Sequence, residues 1–203
     1  MRRITAKAVL AQVLALAFLA VWASTTHAET AAVRNCTWCH GPAAQGFNPA
    51  PRLAGQTRQY IESQIKSFRS HLRDNPDSKQ YMWAAAQFVG PQRAHYLAAY
   101  FATLPARAAN DGLRELTTFG RRIYQDGIPE ANIVACIACH GPNAEGVGEI
   151  PRLGGLGYTY LTRRLAQWRE GYDVAAKHPM PSVASKLSEE QIQALASYLS
   201  FIE

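Results

Sequence analysis

The chain has 203 residues, 48% of them hydrophobic and 18% charged, a globular composition that excludes a disordered polymer. Its formal charge is +6 at pH 7, which raises the question of nucleic acid. The length suits one ordinary domain or two small ones.

Residues 1–28 read as a secretory signal peptide. Arg2, Arg3 and Lys7 form a positive start, an apolar stretch runs from Ala8 to Ala23 broken only by Gln12, and Thr26-His27-Ala28 offers small residues where a signal peptidase reads. The stretch is short against the roughly 20 residues of a full membrane span. Cleavage after about Ala28 is therefore expected rather than retention as an anchor, with peripheral membrane association left open. Cleavage leaves 18 Lys and Arg against 15 Asp and Glu. These basic residues are scattered along the chain, and no nucleic-acid partner is expected.

The four cysteines lie in two motifs, Cys36-Thr37-Trp38-Cys39-His40 and Cys136-Ile137-Ala138-Cys139-His140. C-x-x-C-H is the attachment signature of c-type haem. Two intervening residues carry the chain through about one helical turn, so both thiols can add to vinyl groups on one porphyrin edge. The adjacent histidine then arrives on one face of the iron as an axial ligand. A zinc site of two C-x-x-C pairs would not explain why a histidine follows both. A redox disulfide site of thioredoxin type would need strand–helix alternation, and no strand run is evident. The expected cofactors are two covalent haem c groups, one held by Cys36 and Cys39 with His40, the other by Cys136 and Cys139 with His140.

The motifs open an internal repeat. His40-Gly41-Pro42-Ala43-Ala44-Gln45-Gly46 matches His140-Gly141-Pro142-Asn143-Ala144-Glu145-Gly146, and Pro51-Arg52-Leu53-Ala54-Gly55 matches Pro151-Arg152-Leu153-Gly154-Gly155, all 100 residues apart. Later the offset becomes 98, pairing Met82 with Met180, Val89 with Leu187 and Leu97 with Leu195. Methionine usually fills cores. Here the two that remain after signal removal occupy equivalent places, 42 and 40 residues past the haem histidines, each before a terminal helix. Met82 and Met180 are therefore the expected second axial ligands. Pro179 and Pro181 flank Met180 and favour an extended loop, whereas Met82 lacks such neighbours. His71, His95 and His178 have no histidine counterparts and read as surface or packing residues, with His71 the fallback for Met82.

Periodicity predicts helices over Gln56–His71 and Leu156–Tyr172. The last helix has an explicit start: Ser188 and Gln191 form a capping box, Leu187 and Ile192 a hydrophobic staple. Its buried face is Ile192, Leu195, Ala196 and Leu199. In the first half Gly90 caps, Pro91 opens the helix, and Ala94, Leu97, Ala98 and Phe101 face inward. No strand is needed. The organisation expected is a signal over 1–28, a first domain over 29–104, a linker over 105–111 and a second domain over 112–203.

On these residues the chain resembles the cytochrome c4 family of dihaem cytochromes. The paired C-x-x-C-H-G segments, the paired Pro-Arg-Leu-(Ala/Gly)-Gly segments and the run Met180–Leu199 carry the resemblance. It implies an all-α fold of two tandem class I cytochrome c-like domains, each wrapped around one covalent haem. It also implies a periplasmic electron carrier with His/Met-ligated haems, whose redox partners are a terminal oxidase, a quinol-oxidising complex or a dehydrogenase. The alternatives are a cytochrome subunit of a periplasmic dehydrogenase and a dihaem enzyme with one open iron. Pro51 and Pro151 stand where the family offers a proline carbonyl to the haem histidine, though a simple turn proline fits the spacing equally. Arg52 and Arg152 suit either haem propionates or solvent. The family's usual helix before the first motif has little room after Ala28, and Trp38 would cover part of that gap.

Two predictions follow from this reading. Each half is small for a self-sufficient core, and several hundred Å² of haem surface would contribute on the order of 10 kcal/mol of apolar burial. Haem-free protein should therefore not fold stably, and a well-dispersed NMR spectrum of it would contradict this. The first haem should be the more exposed and the two potentials unequal, seen as a split redox wave; a single unsplit wave would count against it.

Overall fold

The computed structural model describes residues 31–176 and 178–203, so the expected signal peptide lies outside the described residues. Among these residues there are helices and no strands, only isolated bridges at Ile128–Ile133 and Val147–Ile150. The first half holds α1 (residues 31–40), α2 (Arg58–Arg69), a π-turn (Ser78–Met82), α3 (Trp83–Gln87) and α4 (Pro91–Thr103). The second holds α5 (Thr117–Asp126), α6 (Ile137–His140), α7 (Tyr158–Arg169), α8 (Met180–Ala184) and α9 (Glu189–Ser200), with short 3₁₀ turns between.

The helix boundaries follow local chemistry. α2 starts two residues later than periodicity suggests because Thr57 caps it, accepting from the Tyr60 N–H at 3.4 Å. It ends early because His71 adopts a left-handed backbone (φ 58°). Gly157 caps α7 in the same place. α4 has Gly90 at the cap, Pro91 at its first position, and Ala94, Leu97, Ala98 and Phe101 buried. On α9 the Ser188 hydroxyl accepts from the Gln191 N–H at 3.2 Å, and the Gln191 side chain accepts from the Ser188 N–H at 2.9 Å. Leu187 and Ile192 are both buried beside this cap.

Each half has its own core. α5, α7 and α9 enclose Ile123, Tyr124, Leu161, Leu165, Ile192 and Leu195, among others; α1, α2 and α4 enclose Ala32, Ile61, Leu97 and Phe101. α5 crosses α9 closely at Gly120, where a Cβ would overlap the Ala194 carbonyl. The stretch that the repeat offset pairs with α5, residues 17–26, lies outside the described residues. α1 is itself helical from residue 31 into the first cysteine motif.

Two local expectations are corrected. Met180 is the first residue of α8, not part of an extended loop; prolines at helix starts cost no hydrogen bond, because the first N–H groups have no partner there anyway. Trp38 does not cover a gap: its side chain is 83% exposed, because it occupies the outer face of α1.

The halves are joined by buried polar bonds. The Asp74 N–H donates to the Asp173 carboxylate at 2.6 Å and the Asp173 N–H donates to the Asp74 carboxylate at 2.7 Å. This reciprocal pair is 99 residues apart, so the two-residue length change of the repeat falls as one residue on either side of it. Asp173 also accepts from the Asn75 backbone and side chain, each at 3.1 Å, and pairs with Arg164. Gln56 exchanges two bonds with the Arg152 backbone, at 2.9 and 2.7 Å. The connecting residues pass between the two Pro-Arg-Leu loops: a Cβ on Gly55 would overlap Ala106, and one on Gly155 would meet the Arg107 carbonyl at 2.8 Å.

Burial opposes the charge on Asp173, but Arg164, the Asn75 side chain and Arg73 outweigh it and hold the carboxyl below the ordinary range. A depressed carboxyl contributes stability above its unfolded pKa, about 4, and that stability is lost as pH falls through the folded value. We expect Asp173→Ala to destabilise the holoprotein by about 3–5 kcal/mol at pH 7, since Arg164 is left buried and unpaired. Thermal melts should show that difference narrowing below about pH 4; a pH-independent difference would contradict the assignment.

Candidate haem sites

Each cysteine motif is a helical turn that ends at its histidine. α1 ends at His40 and α6 at His140, and the next residue is Gly41 (φ 88°) or Gly141 (φ 83°). A positive φ there stops the helix without strain only for glycine. The loops that follow are bonded alike. Gly46 N–H donates to the His40 carbonyl at 2.7 Å and Gly146 N–H to that of His140 at 2.8 Å; Leu53 and Leu153 donate to the carbonyls of Ala44 and Ala144 at 2.9 and 2.8 Å.

These turns bring the proline carbonyls back to the histidines. His40 Nδ1 donates to the Pro51 carbonyl at 2.7 Å, and His140 Nδ1 donates to the Pro151 carbonyl at 2.9 Å. A carbonyl only accepts, so the proton sits on Nδ1 and the Nε2 lone pair is left for a metal. Burial holds both imidazoles below the ordinary histidine pKa, the proline bond opposing it in each case and Arg73 adding to it at His40. Both rings are thus neutral at pH 7. The turn-proline reading of the spacing therefore gives way to the carbonyl role.

In each motif the two cysteines sit one helical turn apart, next to their histidine. None is in a disulfide. Burial, with Cys39 nearby, pushes the Cys36 thiol up to about 11, and burial does the same at Cys136, also to about 11, against a backbone bond that lowers it. Cys36 packs with the first core and Cys136 with the second, and no three His, Cys, Asp or Glu side chains among the described residues are grouped to hold a metal ion. The single-zinc alternative has no geometry to support it.

An unfilled demand for acceptors tests whether haem fits. Among the described residues five buried donor atoms have no partner: Arg52 Nε and Arg73 Nε in the first half, and Arg152 Nη2, Arg164 Nε and Trp168 Nε1 in the second. Buried unpaired donors are rare in folded proteins. Donors in both halves call for an anion with several acceptor oxygens, and the two propionates of a haem answer that description. The residues fit the group. Arg52 and Arg152 are half-buried, so free solvation does not describe them.

The methionines are both half-buried. Met180 packs against the second core. Met82 closes the π-turn, a geometry found often at functional sites. That turn is anchored by Asn75, whose side-chain oxygen accepts from the Ser78 N–H at 3.1 Å while its amide is held by Asp173. The other histidines have different employment. His71 stacks on Trp83 at 3.9 Å, His95 meets Glu62 at 3.0 Å, and His178 packs edge-on to Trp168 at 5.5 Å.

Sequence reading missed Arg73, Arg164, Trp168, Asn75 and Asp173. Arg164 and Trp168 read only as part of the helix face that repeats Gln64 and Phe68, and Arg73, Asn75 and Asp173 lie at the length change, so the repeat gave none of them a site role. Missed too was Tyr124, whose hydroxyl donates to the Gly141 carbonyl at 2.6 Å and braces the end of α6.

Comparison with known proteins agrees with this geometry. The cytochrome c family model matches residues 27–105 and again 119–202. Cytochrome c-552 of Acidithiobacillus ferridurans is 31% identical over 82% of this chain and 73% of its own length. Cytochrome c4 of Thiocapsa roseopersicina is 33% identical over 81% and 85%, and a thiosulfate dehydrogenase electron acceptor of Stutzerimonas stutzeri is 34% identical over 81% and 77%. The solved cytochrome c4 of Acidithiobacillus ferrooxidans superposes with a TM-score of 0.76 at 30% identity, covering 83% of this chain and 98% of that one. The chain belongs to the cytochrome c family, as a two-domain, all-helical member of the cytochrome c4 type that binds two covalent haem c groups and carries electrons.

Proposed function

We propose that the chain is an exported periplasmic carrier that passes single electrons through two haems, each ligated by one histidine and one methionine. The observation that carries this reading is the matched pair of neutral imidazoles, His40 and His140, each held at Nδ1 by a proline carbonyl. Cys36 and Cys39, and likewise Cys136 and Cys139, would hold the haems as thioethers. His40 and His140 would hold the two irons through Nε2, and Met82 and Met180 would hold them through sulfur. When bound, the haem supplies a one-electron ferrous–ferric couple, which thioether ligation biases toward the ferrous state.

The protein's own part is positioning. Buried cores on both sides keep the imidazoles in place; the orphaned arginine donors would neutralise the propionates and Trp168 would donate a hydrogen bond to one. The Asp173–Asn75–Ser78 chain runs from the second half to the turn that ends at Met82, so the interface itself steadies the first methionine. The domain limits proposed are 29–104 and 112–203 with a linker over 105–111. Asn110 donates from that linker's backbone to the Ser200 carbonyl at 3.0 Å, and Asp111 accepts from the Tyr158 N–H at 2.9 Å. Export rests on the signal over 1–28; no helix among the described residues is long and apolar enough to cross a membrane.

The partners proposed are a respiratory donor and a terminal oxidase. A second reading, as acceptor for a periplasmic dehydrogenase, draws on the relatives called thiosulfate dehydrogenase electron acceptor, one at 34% identity in Thiomonas intermedia. The thiosulfate dehydrogenase of Marichromatium purpuratum, a chain of which this protein covers 36%, superposes with a TM-score of 0.67. Rapid reduction of the holoprotein by thiosulfate and a purified thiosulfate dehydrogenase would favour that reading.

The weak far-red methionine-to-iron band of the ferric holoprotein tests the ligands. Two equivalents per chain are expected, with Met82→Leu and Met180→Leu each removing one. A variant that keeps both equivalents would sink the assignment at that position, and His71→Ala then shows whether His71 takes the place of Met82.

A further inference from the structure

One side chain of the second half reaches the supports of both expected axial ligands of the first haem. Arg163 lies on α7, and each of its three guanidinium nitrogens bonds to the first half. Nη1 donates to the Asn48 side-chain oxygen at 2.9 Å, and Nη2 donates to the Pro49 carbonyl at 2.8 Å. Nε pairs with the Asp77 carboxylate at 2.8 Å. Asn48 and Pro49 lie in the short loop between Gly46, bonded to the His40 carbonyl, and Pro51, whose own carbonyl holds His40 Nδ1. Asp77 directly precedes the π-turn that ends at Met82. Gln167, one turn further along α7, donates to the same carboxylate oxygen at 3.1 Å. The loop behind the histidine and the turn before the methionine are thus tied together through one guanidinium.

The arrangement runs one way. The residues equivalent to Arg163, Asp77 and Asn48 in the other half are Ser63, Ala175 and Gly148, which cannot build such a fork. The Ser63 hydroxyl donates within its own helix, to the Tyr60 carbonyl at 3.0 Å. The loop of the second haem receives one side-chain bond from the first half, from the Thr57 hydroxyl to the Gly148 carbonyl at 2.6 Å. The Met180 segment receives none: among the described residues, 179–186 make no hydrogen bond or ion pair with the first half. Met180 packs on its own core instead, whereas Met82 is not among the residues packed on either core. Met82 therefore depends on polar bonds for its position. The Arg163 and Asp77 side chains are 29% and 33% exposed, so the pair is partly shielded from water. An isolated surface pair contributes little, but a planar guanidinium bonded in three fixed directions specifies orientation.

We propose that Arg163 is a positioning residue for the first haem: from the second half it sets how firmly Met82 is held against the iron that His40 ligates. No counterpart acts on the second haem. The proposal rests on the His/Met reading and adds a residue that lies outside both haem motifs. If the guanidinium is lost, the Pro51 loop and the Met82 turn are free to move apart. The thioether sulfur is the ligand that yields, most readily in the ferric state, because thioether ligation favours ferrous iron.

The test is displacement of methionine by added imidazole in the ferric holoprotein, read as loss of the far-red methionine-to-iron band. In a Met180→Leu background the band reports Met82 alone, and in a Met82→Leu background it reports Met180 alone. Arg163→Ser should lower the imidazole concentration that displaces Met82 about tenfold, the weight of one charge-assisted hydrogen bond. It should change the displacement of Met180 by less than about twofold. Asp77→Ala should act like Arg163→Ser, and the two together should do little more than either alone; each also covers for the other if one does not fold. Gln56→Ala removes two different bonds between the halves and should move the Met82 midpoint by less than about twofold. An unchanged Met82 midpoint, equal shifts at both methionines, or an equal shift from Gln56→Ala would each overturn the proposal, the last by showing a general loosening of the interface. A Met180→Leu protein with no far-red band before imidazole is added would remove the Met82 assignment and the proposal with it. The two failures are told apart before titration starts.

Discussion

A histidine held at one ring nitrogen by a carbonyl eleven residues away constrains nearly everything in each half. The bond sets the tautomer, and the tautomer decides which nitrogen can meet a metal. For the carbonyl to arrive, the chain must stop its helix at once, turn back and present Pro51 or Pro151. The glycine after each histidine and the repeated loop bonds are how it does so. The flanking helices then pack where the returning loop leaves them room. Both halves solve the problem in the same way, down to bond lengths that differ by only 0.2 Å at the histidine.

The interface between the halves follows another logic. Burying Arg164 and Asp173 together is costly in desolvation, and such pairs often contribute little net stability. What the arrangement supplies is orientation. Asp173 and Asp74 lock the halves in one register, while Arg73, Arg164 and Trp168 are left with donors to spare. Those spare donors suit the propionate ends of two haems, so the cofactors and the interface depend on each other. A rigid relation between two redox centres is useful to a carrier, because electron transfer falls off steeply with distance. The interface also reaches Met82 through Asn75, which compensates for the absence in the first half of the prolines that flank Met180.

The same interface shapes the outer surface. By drawing Asp74 and Asp77 inward it removes negative charge from the first half's solvent face, and exposed arginines and lysines are left to dominate there. Internal architecture and surface charge are thus linked by two carboxylates.

Much of this molecule was determined by its sequence alone. The cysteine–histidine spacing, the 100-residue repeat and the matched methionines depend on covalent chemistry and short-range geometry, which a linear pattern records. The capping box at Ser188 and the buried face of α4 were legible for the same reason: each involves residues within about one to three helical turns. Met180 was harder to place, since flanking prolines are compatible with a helix start as well as a loop, and packing against the core decided between them. The Asp74–Asp173 pair, the Asp77–Arg163 pair and the orphaned donors around them could not be read from the chain. They join residues almost a hundred positions apart, on segments where the repeat breaks step, and only the tertiary structure brings those segments face to face.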